Sequence, residues 1–562
     1  MSTPNIAPYG ALPTERQINH LKKYSKKAFF HFGVNTFSGV EWGDGTEMES
    51  IFNPSEADVR QWIKTAKEAG LTLAILTAKH HDGFCLWPSK YTKHSVKNSP
   101  YKNGNGDIVR EFADACREEG IAMGVYLSPW DRHSEYWGSP EYSNFYNLQL
   151  TELLTQYGEI LEVWWDGAGS FDTVYDWNLW TDTVRKYQPD ALIFGPSFPE
   201  SVSCIDLRWI GNEAGRGADP HYLTVNPEDE ENYFQGHLGG ERFIISEVDT
   251  SVRPGWFYHK AYDKQVKDTD KLIDLWFNSI GVSSTMLLNF PPDKRGLVFE
   301  TDAKNAIDAH KIIEKVLSKN FAQNASVKAN SVRDGFTAEN IINGNYEDVY
   351  VPEEGVLNPV IEITLEKEET FDTLLLGEYI ELGVRVGGFT AEALIDGKWT
   401  LLADKKSIGY KKAIYFSPVT SDRIRITITK AMAEPVLREF GIYNFTCEGY
   451  IQNKPRKILG EEWDIVHDKP NTRIKNDIDG ITVELNGICP FNRLRFNGIG
   501  IDKYELQVFD GEKYVPYLSG ENPSEEETID LKETITHAYQ FRFVTGKSDN
   551  ENLNLRAYEM ER

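Results

Sequence analysis

Hydrophobic positions in the first 320 residues of this 562-residue chain follow two alternating patterns. Eight short apolar runs have the length of single strands, and amphipathic stretches separate many of them. The runs are Phe29–Val34, Leu71–Lys79, Ile121–Ser128, Ile160–Asp166, Ala191–Gly195, Cys204–Ile210, Arg242–Val248 and Thr285–Phe290. Repeated strand–helix units predict an α/β fold, a (β/α)8-like (TIM-type) barrel. The connections over 196–203 and 211–241 are irregular, so the helix count is expected to fall short of eight.

Two of the barrel helices can be placed from their spacing. Over Ala57–Ala69, four apolar side chains recur at helical intervals, with Ser55 as the predicted cap and Gly70 as the stop. A second helix is predicted over Asp107–Glu119, and Gly120 ends it. In both cases the glycine leads directly into the next strand, which is the order of elements in a βαβ unit.

Helical periodicity disappears after residue 320, where short strands and turns replace it. The next segment has predicted strands and turns at Val360–Leu365, Thr373–Leu376, Ala391–Ile395, Arg423–Ile428, Asn343-Gly344 and Asp396-Gly397. The last segment has them at Thr482–Leu485, Tyr504–Phe509, Tyr539–Val544 and Asp510-Gly511. The pattern predicts three domains: a barrel over 1–320, a β-sandwich over 321–450 and a second all-β domain over 451–562.

The charge balance narrows the range of partners. The formal net charge is −26, and nucleic acids and anionic membranes bind through basic surfaces, so neither is expected as a partner. A neutral substrate fits best. Aromatic residues make up 12% of the chain, with 14 Trp and 27 Tyr, and such flat, partly apolar side chains suit sugars. Several aromatic-rich sheets would also account for part of this excess.

The cysteines and the N-terminal segment give little information about function or location. The five cysteines are scattered without a CxxC pair and predict neither a disulfide framework nor a zinc site; Cys116, on an apolar helix face, is predicted to be core. No apolar run is long enough to span a membrane. The start, MSTPNIAPYG, lacks the basic and apolar regions of a signal peptide. The protein is expected either to stay inside the cell or to be periplasmic or secreted after loss of a leader.

Residues at the ends of the predicted strands are the candidates for chemistry, because active sites of such barrels lie at the carboxyl ends of the strands. These positions carry carboxylates, histidines and tryptophans. Glycoside hydrolysis uses this set: two carboxyl groups for covalent and acid/base steps, and aromatic faces for the sugar. They are His31, Glu41, Trp42, His80, His81, Tyr126, Trp164, Asp166, Glu213 and Glu247.

Asp166 is the predicted nucleophile, since a carboxylate that ends an apolar strand beside two tryptophans has little reason to be there for packing. The alternative is a helix cap or a partner of a buried arginine. Glu213 and Glu247 compete for the role of general acid/base. Glu213 lies in a glycine-rich loop that can reach over the pocket mouth. Glu247 ends a predicted strand and could equally hold Arg253 or a second sugar.

The pair His80-His81 raises the question of a metal. Neighbouring residues on a strand point to opposite faces, so the two rings are not expected to bind one ion, and no other ligand set has the spacing of a metal site. Hydrogen bonding to sugar hydroxyls is the favoured interpretation, with a core histidine for one of the pair as the alternative. No metal and no cofactor are predicted.

Three segments resemble the α-L-fucosidases of glycoside hydrolase family 29: His31–Phe37 with Glu41-Trp42-Gly43, Leu76–Ser89 and Trp164–Ala168. The resemblance covers roughly residues 15–300. It implies release of terminal fucose from an oligosaccharide or glycoconjugate by a retaining double displacement. It also implies roles for single residues. Asp166 would be the nucleophile. The fucose ring and hydroxyls would contact His31, Glu41, Trp42, His80, His81 and Tyr126. Trp164 and Trp256 would form an apolar wall for the C6 methyl group.

Two further segments, Arg208–Gly215 and Ser246–His259, resemble one branch of that family. The resemblance implies a preference for α1,3/1,4-linked fucose on branched, Lewis-type glycans and poor action on aryl fucosides. In that branch the matching general acid is Glu213, whereas in the broad-specificity branch a glutamate near Glu247 has this role. Glu213 is therefore the predicted acid, and Glu247 and Arg253 are substrate-binding candidates.

The segment after residue 325 resembles a discoidin-like (coagulation factor 5/8-type) sandwich, through Asn340–Asn345, Ile424–Thr427 and Glu439–Tyr443. Such domains often bind sugars, and others only support the barrel, so a carbohydrate-binding module is one of two expectations. Three alternatives stand for the whole chain: another glycosidase such as an α-galactosidase-like barrel, a non-catalytic carbohydrate-binding protein and a metal-dependent hydrolase. Retention of Asp166 with both candidate acids argues against a loss of activity.

Overall fold

The computed structural model describes residues 6–168, 173–195, 204–229 and 232–446. In the C-terminal segment it describes 463–464, 472–477, 480–485, 491–497, 501–509, 514–524, 526–535, 539–545 and 555–558. The chain divides into two compact units, Met1–Tyr450 and Ile451–Arg562.

Eight parallel strands of the first unit form a closed barrel, as the sequence predicts. The strands of this region are β1 (Lys26–Phe30), β2 (Leu73–Lys79), β3 (Ala122–Leu127), β4 (Glu162–Trp164), β5 (Leu192–Gly195), β6 (Leu207–Trp209), β7 (Thr224–Val225), β8 (Arg242–Phe243), β9 (Ile245–Ser251) and β10 (Thr285–Asn289). The barrel order is β1-β10-β9-β6-β5-β4-β3-β2, while β7 and β8 form a separate antiparallel pair.

α-Helices precede, connect and follow the barrel strands. They are α1 (Glu15–Tyr24), α2 (Val34–Ser38), α3 (Val59–Glu68), α4 (Ile108–Glu119), α5 (Tyr142–Gln156), α6 (Trp177–Tyr187), α7 (Thr269–Asn278) and α8 (Glu300–Leu317). Short 3-10 helices lie at Glu49–Ile51, Val96–Asn98, Tyr101–Gly104, Lys260–Tyr262, Ala338–Ile342 and Ile380–Leu382. In the described part of the connection 211–241 there is no α-helix, and the connection 196–203 lies outside the described residues.

Helix α4 forms where the pattern predicts it. The Asp107 side chain accepts a hydrogen bond from the Arg110 N–H at 2.9 Å, and Gly120 ends the helix at φ 71°. Cys116 is buried on its inner face, as expected. For α3 the predicted cap is wrong: Asp58, not Ser55, accepts the bond from the first turn, and the helix begins directly after it.

Several predicted strand limits also differ from the structure, and the differences in β1 and β9 affect the site. β1 ends at Phe30, four residues before the predicted end, because Val34 already begins α2. The seventh barrel strand is β9, which begins at Ile245 and continues to Ser251. Its predicted first residues, 242 and 243, pair instead with β7 as the antiparallel strand β8. The shift moves the residues of β9 down the barrel relative to the prediction, which matters for Glu247.

The barrel interior contains an apolar layer that includes Phe29, Ile75, Tyr126, Trp164, Phe194 and Leu287. A buried ionic cluster lies among the first residues of the strands. The ammonium of Lys27 contacts Glu247 and lies 2.7 Å from Glu162 Oε2, and all three side chains have no exposure. His20 of α1 approaches the same Glu162 oxygen at 3.1 Å. Burial raises the pKa of both carboxyls, and the charge of Lys27 opposes that shift.

The rest of the first unit is a bent antiparallel sheet. Its strands are β11 (Ser326–Ala329), β12 (Val360–Glu378), β13 (Val386–Ile395), β14 (Lys398–Lys405), β15 (Lys412–Ala431) and β16 (Leu437–Tyr443), in the order β11-β12-β15-β13-β14 with β16 on β12. The β12–β15 register shifts twice, so the long strands bend; one half of β12 pairs with β11 and the other with β16. The predicted turn Asp396-Gly397 joins β13 and β14 with positive φ at both residues.

The second unit contains two antiparallel sheets, as predicted for an all-β segment. Their strands are β17 (Trp463–Asp464), β18 (Thr472–Asp477), β19 (Gly480–Leu485), β20 (Phe491–Asn497), β21 (Ile501–Phe509), β22 (Tyr514–Glu521), β23 (Glu526–Ile535), β24 (Tyr539–Thr545) and β25 (Leu555–Tyr558). The sheet orders are β17-β25-β20-β23 and β18-β19-β24-β21-β22. The predicted turn Asp510-Gly511 lies outside the described residues. Across the described part of the chain, none of the helices has the length and apolar character that crossing a membrane requires.

Candidate active site

Asp166 lies two residues beyond the end of β4, at the mouth of the barrel. Its Oδ2 accepts a hydrogen bond from the Tyr126 hydroxyl at 3.0 Å, and its Oδ1 accepts one from the Ala168 N–H at 2.8 Å. His81 Nε2 lies 3.7 Å from Oδ2. About a quarter of the Asp166 side chain (26%) remains exposed, so the carboxylate is held by the protein and open to a ligand.

His31 follows β1 directly, and its tautomer can be deduced from its partners. Asn289 donates through Nδ2 to the Trp256 carbonyl at 2.8 Å, which leaves its Oδ1 as the acceptor toward His31 Nδ1 at 2.9 Å. His31 therefore carries its proton on Nδ1 and presents Nε2 as an acceptor. Burial lowers the pKa of His31 to about 3, so the ring is neutral at physiological pH.

His80 and His81 lie together rather than on opposite faces, which corrects the expectation from strand alternation. β2 ends at Lys79, so both histidines belong to the turn that follows, and their ring centroids are 4.1 Å apart. Ser128 donates to the Trp130 carbonyl at 2.7 Å, so its oxygen accepts from His81 Nδ1 at 2.8 Å. His81 thus also presents Nε2 as an acceptor, and burial lowers the pKa of both rings.

Among the described residues, no three or more His, Cys, Asp or Glu side chains are arranged to hold a metal ion.

The loop after β1 brings Glu41 and Trp42 to the same mouth. Glu41 Oε2 accepts hydrogen bonds from the backbone N–H groups of Trp256 at 2.8 Å and Phe257 at 3.4 Å. Burial raises the pKa of Glu41 although these bonds oppose the shift. Trp42 is 55% exposed, and its ring meets His81 edge-to-face at 5.7 Å. This loop therefore joins the β1, β2 and β9 sides of the pocket.

Trp164 and Trp256 form parts of an aromatic wall around Phe29. The Trp164 ring lies 5.3 Å from Phe29 and stacks on Phe194 at 3.8 Å with an interplanar angle of 3°. The Trp256 ring lies 6.2 Å from Phe29 and 5.0 Å from His31. Trp164 is almost fully buried, whereas Trp256 is half-buried at the rim.

Glu213 belongs to the loop after β6 and is exposed at the rim. The surrounding protein still desolvates its carboxyl, which raises the pKa of Glu213; the negative charge of Asp166 raises it further, and a hydrogen bond from the Trp256 side chain opposes both. The charge of the predicted nucleophile therefore acts on the carboxyl of the predicted acid.

Glu247 has no exposed surface, because β9 continues to Ser251 and Glu247 is only its third residue. Besides Lys27 it contacts the Trp164 indole N–H at 2.8 Å and the Thr285 hydroxyl at 3.1 Å. The expectation that Glu247 holds Arg253 is wrong. Arg253 is buried and forms a bidentate pair with Asp302 and a further bond to Asp263.

Asp249, one layer above Glu247 on β9, is a buried carboxyl to which the sequence assigned no role. The Trp209 indole donates to its Oδ1 at 3.0 Å. Burial raises the pKa of Asp249 well above its ordinary value, and the charges of Glu213 and Glu247 act in the same direction. The signal that could have found it is strand alternation, since Glu247 and Asp249 share one face. Asn289 and Ser128, which set the histidine tautomers, also lie at strand ends, and the sequence pattern predicts no role for either.

A closed parallel barrel with a carboxylate, neutral histidines and tryptophans at its carboxyl end is the arrangement of a carbohydrate-active hydrolase. A family model for α-L-fucosidases matches residues 11–310. The chain belongs to the α-L-fucosidase family, glycoside hydrolase family 29, and is a glycoside hydrolase of that activity.

Three similar proteins illustrate the relationship. Alpha-L-fucosidase 1 of Arabidopsis thaliana is 37% identical over 80% of this chain and 91% of its own length. The structure of a glycoside hydrolase 29 family member from an unknown rumen bacterium is 31% identical, covers 98% of this chain and 100% of that one, and has a TM-score of 0.70. A Ruminococcus gnavus fucosidase of the same family, solved in complex with fucose, is 32% identical, covers 79% of this chain and 97% of that one, and has a TM-score of 0.72.

Proposed function

We propose that the protein is a retaining exo-α-L-fucosidase that removes terminal α1,3/1,4-linked fucose from branched, Lewis-type glycans. The observation that carries the proposal is the pairing at the barrel mouth. Asp166 is partly exposed, with both carboxylate oxygens oriented by donors, and its charge acts on Glu213. Two carboxyl groups so arranged are what a double displacement requires.

In the first step, Asp166 attacks the anomeric carbon while protonated Glu213 gives its proton to the departing glycosidic oxygen. The bond from C1 to that oxygen breaks, and a fucosyl–Asp166 ester forms. In the second step, ionised Glu213 takes a proton from water, whose oxygen attacks C1. The ester bond from C1 to Asp166 breaks, Asp166 leaves as a carboxylate, and fucose is released with retained configuration. While Asp166 is charged it raises the pKa of Glu213, which suits an acid. In the ester that charge is gone, so the pKa falls and Glu213 suits the role of base.

The neutral histidines are suited to recognition of sugar hydroxyls. His31 and His81 each direct an unprotonated Nε2 at the pocket, and a fucose hydroxyl can donate to it. Glu41 and the exposed face of Trp42 offer further contacts from the loop after β1. We assign the C6 methyl group to the aromatic wall of Trp164 and Trp256; burying one methyl group discriminates fucose from galactose by only ~1–3 kcal/mol.

Burial and charge favour Glu213 over Glu247 as the acid/base. A general acid must reach the leaving oxygen, and Glu247 has no exposed surface and is bonded to Lys27, Trp164 and Thr285. We therefore assign Glu247 to support of Trp164 and Arg253 to support of the loop after β9, through Asp302 and Asp263.

The linkage preference rests on the resemblance of Arg208–Gly215 and Ser246–His259 to the α1,3/1,4-specific branch. It is tested by fucose release from a Lewis-type trisaccharide and from an α1,2-fucosylated disaccharide, side by side. Release from the trisaccharide alone supports the proposal, and release from both moves the protein to the broad-specificity branch. Release from neither would favour a binding protein or another glycosidase. A chelator should leave the rate unchanged, unlike in a metal-dependent hydrolase.

The acid is tested on the better substrate with Glu213→Ala and Glu247→Gln, because glutamine keeps the shape of the buried side chain. Thermal unfolding of both variants shows whether each is folded. Loss of release with Glu213→Ala in a folded protein supports the assignment. Loss only with Glu247→Gln, at near-native stability, would transfer the role to Glu247.

A further inference from the structure

The loop that carries Glu213 is fastened to the bent sheet of the first unit as well as to the barrel. Asp219, six residues beyond Glu213, places Oδ1 2.7 Å from the ammonium of Lys412 and Oδ2 2.9 Å from that of Lys405. Lys412 begins β15 and is buried, whereas Lys405 ends β14 and is half-exposed. Each oxygen of the Asp219 carboxylate thus has its own cation. Although burial opposes it, the two ammonium groups hold the pKa of Asp219 well below its usual range.

His221 and Tyr222 of the same loop reinforce the attachment made by Asp219. The backbone N–H of His221 donates to the Ser407 hydroxyl at 3.2 Å, and the Tyr222 hydroxyl donates to the Lys406 carbonyl at 3.0 Å. On the barrel side, buried Arg208 of β6 donates to the Tyr222 carbonyl at 2.9 Å. The segment from Asp219 to Tyr222 is therefore held between a barrel strand and the connection 406–411 of the sheet.

That connection is itself fixed to the barrel, so the attachment is firm at both ends. The Ser283 hydroxyl, just before β10, donates to the Ile408 carbonyl at 3.0 Å and accepts from the Lys411 N–H at 3.0 Å. The Ala413 N–H donates to the Gly281 carbonyl at 2.8 Å. We call residues 406–411, which connect β14 to β15, together with Lys405 and Lys412 at their two ends, the anchor connection.

Between β6 and Asp219 the loop is a compact turn. The Asn212 side chain donates to the Arg216 carbonyl at 2.9 Å and accepts from the Ala214 N–H at 3.1 Å, so it bridges the turn around Glu213. The Gly217 N–H donates to the Asn278 carbonyl at the end of α7 at 2.7 Å. The position of the exposed Glu213 side chain thus depends on where the two ends of this turn are held.

We propose that the anchor connection positions the general acid/base: Asp219, held by Lys405 and Lys412, keeps the Glu213 loop over the barrel mouth. Asp219 is a positioning residue, since it acts through Glu213 and touches no reacting atom. The antiparallel sheet of the first unit then contributes to turnover through the position of Glu213, independently of any sugar binding. The inference rests on the proposed role of Glu213.

The test is Asp219→Asn, measured as kcat/KM on two substrates. A Lewis-type trisaccharide has a sugar leaving group that needs an acid, whereas α-L-fucosyl fluoride releases fluoride with little need of protonation. We expect a loss of about 10-fold or more on the trisaccharide and less than about 2-fold on the fluoride. Lys405→Met, which removes the more exposed of the two cations, should also lower kcat/KM on the trisaccharide more than on the fluoride, but by a smaller factor. An equal loss on both substrates would overturn the proposal.

The matched control is Glu381→Gln. Glu381 pairs with Lys22 of α1 at 3.0 Å, so this ion pair also joins a barrel helix to the part of the first unit that carries the antiparallel sheet. It lies near the end of the barrel where the strands begin, because α1 contacts the ionic cluster there through His20. This variant should leave the ratio of the two substrates unchanged. If it lowers the ratio as Asp219→Asn does, the effect is one of general stability and the inference is wrong.

A double-mutant cycle separates the two proposals. In the Glu213→Ala background, Asp219→Asn should cause no further loss on the trisaccharide, because the residue that it positions is gone. A further loss of the full size would show that Asp219 acts by another route. If Glu213→Ala alone keeps the native rate, the proposed acid fails. If Glu213→Ala loses the rate while Asp219→Asn does not, only the present inference fails.

Discussion

The phenol of Tyr126 donates a hydrogen bond to Oδ2 of Asp166 over 3.0 Å, from the strand next to the one that leads to the carboxylate. Burial raises the pKa of Tyr126 well above its ordinary value, so the phenol keeps its proton throughout the working pH range. Because the Ala168 N–H holds the other oxygen, the plane of the carboxylate is set by its neighbours. An oriented carboxylate can attack without first reorganising.

Tyr126→Phe should therefore lower kcat/KM by about 10- to 100-fold, the size of a lost hydrogen bond to a charged group, ~1.5–3 kcal/mol. The ring stays, so its stacking against His80 and Trp164 is kept and the unfolding temperature should change little. Kinetics on one substrate and a thermal melt of the same sample check both points. A native rate in the variant would mean that the phenol does not orient the nucleophile.

Asp166→Ala should abolish turnover with the fold intact, since the side chain lies at the open mouth rather than in the core. A loss of about 10³-fold or more in kcat is expected when a covalent nucleophile is removed. Added azide should restore part of the rate on an activated fucoside and yield the azide of inverted configuration, which product NMR identifies. A variant that keeps near-native turnover would show that another group is the nucleophile.

The barrel could be predicted because its signals are local. The run from Leu71 to Lys79 is apolar, and all seven residues of β2 are buried. Gly120 supplies the positive φ that ends α4. Such features depend on a few neighbouring residues, and they locate the strand ends and hence the mouth where Asp166 lies.

The depth of a side chain in the barrel could not be predicted in the same way. β9 continues three residues beyond its predicted end, which is about 10 Å at ~3.3 Å per residue. Over that distance Glu247 moves from the predicted rim of the barrel to its interior. Its partner Lys27 is 220 residues away in the chain. Arg253 and Asp302 are 49 residues apart, and no spacing rule connects them. Pairings of this kind depend on the closed barrel as a whole.

Trp256→Phe should move the alkaline limb of kcat/KM to higher pH. The Trp256 side chain bonds the Glu213 carboxylate and lowers its pKa, so its loss raises that pKa further. The first step needs protonated Glu213, so the rate falls only as pH rises through the higher pKa. KM should also rise, because the ring faces His31. Trp42→Phe is the matched control: its ring contacts His81 and Trp130, so KM should rise without a shift of the limb.

The alkaline limb of Trp256→Phe is measured as a pH series of kcat/KM on a substrate with a sugar leaving group. A limb that stays in place, or moves to lower pH, would mean that the indole does not stabilise the charged form of the acid. The same limb should be missing in Glu213→Ala, which ties it to one residue.

Glu247→Ala should act on stability more than on chemistry. Lys27 keeps its second buried partner, Glu162, but the Trp164 indole N–H and the Thr285 hydroxyl lose their acceptor. Each buried donor left unpaired costs ~1–3 kcal/mol of unfolding free energy. Denaturant titration measures this loss, and Glu247→Gln should lose less because glutamine can still accept from Trp164. The control is Glu314→Ala, an exposed partner of Lys26 at 3.8 Å, which should change stability little.

Folded Glu247→Gln should keep the alkaline limb of kcat/KM. Near-native stability together with a missing limb would instead make Glu247 the acid, and the buried ionic cluster would then belong to the catalytic site.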